Sequence, residues 1–95
     1  VHPNLTSASQ FTLNAAYPNP FNPSTSISYS LTDNNQVRVE IYNINGKLVE
    51  TLVNEYQTAG LHQIMWNAAG QSSGVYFIKV TAQNLSKMQK VVYIK

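Results

Sequence analysis

The chain has 95 residues, enough for one domain with one apolar core and too little for a deep catalytic cleft beside it. Charged residues make up 11% of it, against about 25% in ordinary globular domains, so Ser, Thr, Asn and Gln carry the polarity, as suits an all-β extracellular module. A scattered net charge of +2 argues against nucleic acid, the absence of Cys removes disulfides and thiolate chemistry, and no apolar run nears the ~20 residues of a membrane-spanning helix.

Residues Val1–Gln10 are polar and without periodicity, and read as a linker. No signal peptide opens them, so an exported form takes its N-terminal address from a longer precursor. Asn4-Leu5-Thr6 and Asn84-Leu85-Ser86 match the glycosylation sequon, which matters only in a eukaryotic secretory setting. Phe11 and Leu13 alternate with polar neighbours and predict a short first strand. Then comes Tyr17-Pro18-Asn19-Pro20-Phe21-Asn22-Pro23-Ser24-Thr25. Proline fixes φ and restricts the residue before it, so this stretch is neither helix nor interior strand. It reads as a stiff, extended strap that Tyr17 and Phe21 pin to something apolar.

Ser26–Leu31 alternates strictly, with Ile27, Tyr29 and Leu31 on one face and serines on the other. That is the period of a half-buried strand. Thr32–Asn35 is a turn cluster, and Val37, Val39 and Ile41 alternate with Arg38, Glu40 and Tyr42 in the next strand. Asn45-Gly46 predicts a type I′ hairpin turn. The returning strand, Lys47–Val53, has a blurred alternation at Leu48-Val49 and Leu52-Val53, which a bulge or a crossing between sheets would produce. Asn54–Gly60 is a polar connection; Leu61–Asn67 is a strand with His62, Ile64 and Trp66 on one face. Ala68–Gly74 turns, Val75–Ala82 is the most hydrophobic strand, Gln83–Lys87 turns again and Met88–Ile94 closes the chain. About seven short antiparallel strands and no helix predict an Ig-like β-sandwich of two sheets over residues 11–95.

Chemistry finds little purchase. Asp33, Glu40, Glu50 and Glu55 are spread singly, and Glu40 and Glu50 read as solvated charges on strand faces. His2 lies in the linker, and His62 reads as a partly buried, hydrogen-bonded side chain without a second ligand nearby. Asp33-Asn34-Asn35 has part of a calcium loop's composition but lacks its Gly and terminal Glu. No G-x-S-x-G elbow accompanies the serines. Trp66 and Tyr76 read as core, and Tyr42 as the exposed ring available to a sugar. The reading is of a non-enzyme with neither metal nor cofactor.

Several segments together resemble one family. They are the Tyr17–Thr25 strap followed by Ile27-Ser28-Tyr29; Val39–Asn43 with Gly46 and Val49–Val53; Ala59-Gly60-Leu61-His62 with Trp66-Asn67; Ser73–Phe77; and Lys87-Met88 running to Lys95. Over residues 11–95 the chain resembles the C-terminal sorting domain of cargo exported by the type IX secretion system of Bacteroidetes-like bacteria. It is similar, too, to the Ig-like domain of flagellar hook-capping proteins. The resemblance implies a non-catalytic address label on a larger cargo, a hydrolase or an adhesin, with residues 1–10 linking the two. It implies recognition by the outer-membrane translocon and removal by a sortase-like peptidase, with cleavage expected within Val1–Gln10. The cargo would pass through the periplasm of a Gram-negative bacterium to the cell surface or medium. By position, Pro18, Asn19 and Pro20 match the family's proline motif, Gly74, Val75 and Tyr76 its G-x-Y element, and Lys87, Met88 and Lys95 its basic C-terminal segment. Gln89-Lys90 and Asn67 depart from the usual apolar residues and Asp. The alternatives are a carbohydrate-binding or spacer Ig-like module of an extracellular glycoside hydrolase, and a self-associating structural module.

Overall fold

The computed structural model describes residues 11–95. The linker and cleavage readings for residues 1–10, and His2, lie outside the described residues. The strands are β1 (Thr12–Leu13), β2 (Ser24–Leu31), β3 (Asn35–Asn43), β4 (Leu48–Gln57), β5 (Gly60–Asn67), β6 (Gly74–Ala82) and β7 (Leu85–Tyr93). They form a three-stranded sheet in the order β1-β2-β5 and a four-stranded sheet in the order β4-β3-β6-β7, all pairs antiparallel. This is the predicted Ig-like sandwich, with the fourth strand joined to the sheet of the third, sixth and seventh.

Alternation in the sequence becomes the two faces of each sheet. Ile27, Tyr29 and Leu31 of β2 and Trp66 of β5 face Val37, Val39 and Ile41 of β3, Ile78 and Val80 of β6, and Val91 and Tyr93 of β7 across one buried core. The blur in β4 is two bulges: the register against β3 slips between Val39 and Glu40 and again between Ile41 and Tyr42. Each leaves an extra residue on β4 and re-aims the side chains that follow. In consequence Glu50 pairs with Ile41 and points to the core side.

Four expectations change in detail. The hairpin between β3 and β4 is not type I′, because of its turn residues only Gly46 has a positive φ, at 80°. Its amide donates to the Asn43 carbonyl at 2.9 Å, and the Asn43 Oδ1 accepts from the amides of Asn45 and Lys47. The turn residues are therefore Ile44-Asn45, followed by a left-handed glycine, a three-residue connection. The two-residue I′ turn lies instead at Gln83-Asn84, with φ of 53° and 62°, so β7 starts at Leu85 rather than Met88. Asn54–Gln57, expected as connection, continues β4 because it pairs with Asn35–Arg38 at the sheet edge, where polar side chains stay wet. The proline segment is bent rather than extended: its Tyr17–Pro18, Asn19–Pro20 and Asn22–Pro23 bonds are cis, and bends separate single-residue bridges at Tyr17 and Phe21.

Candidate functional site

The strap joins β1 to β2 of the three-stranded sheet, and on its way it touches the edge of the four-stranded one. At its start, Tyr17 exchanges backbone hydrogen bonds with Ser26 of β2, and the buried Thr25 hydroxyl donates to the Pro18 carbonyl at 2.7 Å. At its middle it runs parallel to β7. The Phe21 amide donates to the Val92 carbonyl at 2.9 Å, and the Ile94 amide donates to the Phe21 carbonyl at 3.0 Å. The exposed Asn19 side chain closes the gap between these, donating to the Lys90 carbonyl and accepting from the Val92 amide at 3.0 Å. An edge strand presents unpaired amides and carbonyls, and the strap covers them along the C-terminal half of β7.

Phe21 anchors this arrangement. It is 3% exposed, 5.3 Å from the Tyr93 ring and 5.5 Å from the Trp66 ring, and Trp66 in turn meets Tyr76 edge-on at 5.2 Å. Tyr17, expected as the second pin, is 79% exposed, because only its backbone is used in the bridge to β2.

The G-x-Y element lies beneath the same end of β7. Gly74 pairs with Tyr93 and has a φ of 149°, which side-chain-bearing residues rarely adopt. Tyr76 is buried, and its hydroxyl donates to the Ser72 carbonyl at 2.6 Å. That is the tyrosine corner of an Ig-like fold, locking the turn into the sixth strand. The Lys95 amide donates to the Ser73 hydroxyl. Thus Pro18, Asn19 and Pro20, the Gly74-Val75-Tyr76 element and Lys95 meet at one end of the sandwich. Lys87 and Met88 do not join them: they pair with Val80 and Lys79, well along β7, and Lys87 Nζ sits 5.4 Å above the Phe11 ring.

The residues weighed for chemistry are engaged in structure. Glu40, expected as a solvated charge, is buried at 9% exposure, because it sits on the central β3 under longer neighbours. It is held by Arg38 at 3.4 Å and by the Tyr42 hydroxyl at 3.1 Å. Glu50 is exposed, yet its carboxylate accepts from Trp66 Nε1 at 3.1 Å, a partner the sequence hinted at only through the rule that a buried indole needs an acceptor. His62 stacks on Tyr29 at 5.6 Å and bonds the Thr58 carbonyl, as expected. The Asn34 and Asn35 side-chain oxygens accept from the Ala59 and Gln83 amides, so this turn is spent on holding loops together. Among the described residues no three His, Cys, Asp or Glu side chains group as metal ligands.

Tyr42 is half-buried rather than exposed. Lys79 Nζ lies 5.8 Å from its ring centroid, and burial followed by the Glu40 carboxylate raises its hydroxyl pKa above the usual 10.0. A sugar-stacking ring needs an open face, and the most open rings are Tyr17, beside β2, and Tyr56, on β4 in the other sheet.

A family profile described as "Secretion system C-terminal sorting domain" matches residues 15–95. No curated protein and no solved structure matches the chain.

Proposed function

The chain belongs to the secretion-system C-terminal sorting domain family, and we propose that the strap, Gly74–Tyr76 and the end of β7 together form the surface its secretion machinery reads. As a family member it is a C-terminal sorting signal for type IX secretion, an address that sends cargo to the cell surface or medium. The observation supporting the proposed surface is the convergence just described: two sequence motifs some fifty residues apart and the chain's last residues meet around Phe21 and Tyr93.

On this reading the folded domain displays Pro18, Asn19, Pro20 and Lys95, while Gly74, Val75 and Tyr76 hold the displayed segments in place. The readers are the outer-membrane translocon and a sortase-like peptidase. The domain itself performs no catalysis. Its cargo precedes it in a longer precursor and crosses the periplasm first, and the peptidase cuts within Val1–Gln10.

The test is export. Residues 1–95 are fused behind a signal peptide and a fluorescent reporter, in hosts with and without the type IX translocon. Removing all of Lys87–Lys95 would strip Val91 and Tyr93 from the core, so the informative truncation ends at Tyr93. Translocon-dependent export that falls at least several-fold in the truncated or Asn19→Ala chain, while each stays folded at the assay temperature, is the expected result. Periplasmic retention in both hosts overturns the reading for that system. Mass spectrometry of released reporter reports the cut; reporter still carrying Phe11–Lys95 counts against cleavage before the domain.

A further inference from the structure

The strap covers only half of the β7 edge. Register against β6 is unbroken from Ala82 opposite Leu85 to Gly74 opposite Tyr93, so successive peptide groups of β7 point alternately toward β6 and away from it. The bonds to the strap identify the outward set: the Lys90 carbonyl, both groups of Val92 and the Ile94 amide. By the same alternation both groups of Ser86 and of Met88, and the Lys90 amide, point outward. None of these has a strand or bridge partner among the described residues.

The side chains beside this open edge have a definite character. Met88 is 57% exposed and forms one wall of a groove of about 430 Å³ on the outer sheet face, with Tyr42, Ile44, Phe77 and Lys79 among its other walls. Lys79 pairs directly with Met88, Lys90 lies two residues on along the same face, and Lys87 rises on the opposite face above Phe11. The carboxylate nearest in register is Glu40, opposite Lys79, and it is already engaged by Arg38 and Tyr42. A second copy added here would crowd lysine against lysine with no new carboxylate, and lysines on an edge act against self-pairing in that way.

We propose that the Ser86–Lys90 edge receives an extended segment of a partner protein, added as a fifth strand to the four-stranded sheet. On its outer face that segment carries an apolar side chain that enters the groove past Met88, flanked by carboxylates that meet Lys79 and Lys90. Main-chain bonds to Ser86, Met88 and Lys90 supply the affinity, and the groove with its lysines supplies the selection. The proposal stands on the edge and groove alone, independently of which surface the secretion machinery reads.

The test is an NMR titration of the isotope-labelled 95-residue chain. The probe is a blocked heptapeptide of threonines with glutamate, phenylalanine and glutamate at its even positions; a second peptide has lysine for both glutamates. Shifts centred on the amides of Ser86, Met88 and Lys90 and on the side chains of Tyr42 and Phe77 are expected, with binding at least tenfold weaker for the lysine peptide. Met88→Pro removes an outward N–H and leaves the ladder to β6 whole, a position where an edge strand tolerates proline. It is expected to fold and to lose the interaction, whereas Met88→Leu keeps it. Should Met88→Pro fail to fold, the double variant Lys79→Glu, Lys90→Glu is expected to prefer the lysine peptide. No binding at millimolar peptide, shifts confined to other surfaces, or undiminished binding by folded Met88→Pro overturns the proposal. Shifts that grow with protein concentration alone overturn it in favour of self-pairing.

Discussion

Replacing Phe21 by Ala should cost about 3–5 kcal/mol, the range for truncating a buried phenylalanine. The structure places Phe21 at that level rather than lower because the ring is 3% exposed and contacts two further rings, Trp66 and Tyr93, whose packing it completes at the end of the core. Against a domain stability of about 5–15 kcal/mol the loss is large, and it corresponds to a fall in melting temperature upwards of about 12 °C for a chain of this size. Tyr17→Ala is the paired control from the same motif. Its ring is 79% exposed and its backbone bonds to Ser26 survive the substitution, so the change should stay within about 0.5 kcal/mol. Urea and thermal unfolding followed by near-ultraviolet circular dichroism measure both. A Phe21→Ala cost under about 1 kcal/mol, or equal costs for the two variants, would refute the assignment of Phe21 as the anchor.

Glu50→Ala should destabilise by about 1–3 kcal/mol, because it leaves the buried Trp66 indole N–H without an acceptor, while Glu50→Gln keeps one and should lose about 1 kcal/mol at most; urea midpoints decide. Burial, with the Glu55 charge adding to it, raises the Tyr29 hydroxyl pKa above 10.0. A raised folded-state value means that the protonated side chain contributes stability in full below pH ~10, and that this is lost as pH climbs through the folded value. Denaturant unfolding between pH 8 and pH 11 should therefore fall off more steeply for the native chain than for Tyr29→Phe. Asn84→Val should cost about 1–2 kcal/mol, since a β-branched residue is placed at a φ of 62°, whereas Asn84→Gly should be close to neutral by thermal melting.

Fold class was legible because burial on one face leaves a period-two mark. Ile27, Tyr29 and Leu31, or Val37, Val39 and Ile41, name their sheet faces without help from anything distant. What the sequence hid depends on pairing between segments. Asn45-Gly46 carries the dipeptide of a I′ turn, yet the Asn43 side chain captures two amides and shifts the turn by one residue. Gln83-Asn84 carries no glycine and still makes that turn, held there by the ladder from Ala82 opposite Leu85 onward and by the Asn35 side chain. The depth of Glu40 likewise follows from β3 being central in its sheet, a property of strand order that no local pattern encodes. As for the candidate site, the proline strap announced a special segment, but its grip on β7 through Asn19 and Phe21 links residues more than seventy positions apart.

The convergence of motifs at the end of β7 mixes residues that build the surface with residues that show it, and Tyr76 separates the two roles. Its ring packs edge-on against Trp66 and its hydroxyl closes the corner onto Ser72, so it is 5% exposed and meets no partner in the folded state. Tyr76→Phe keeps the ring and removes one hydrogen bond, a net loss of about 0.5–1.5 kcal/mol. Tyr76→Ala removes the ring as well and should cost about 3–5 kcal/mol, as other buried aromatics do. Export of the reporter fusion should then follow stability rather than the hydroxyl: unchanged in Tyr76→Phe well below its melting temperature, and lost in Tyr76→Ala in step with the folded fraction. Asn19→Ala should do the reverse, since its side chain is exposed and only two hydrogen bonds at a surface are lost. A Tyr76→Phe chain that is fully folded but not exported would show that the hydroxyl is read directly. The domain would then have to open at the β6 corner before it is recognised.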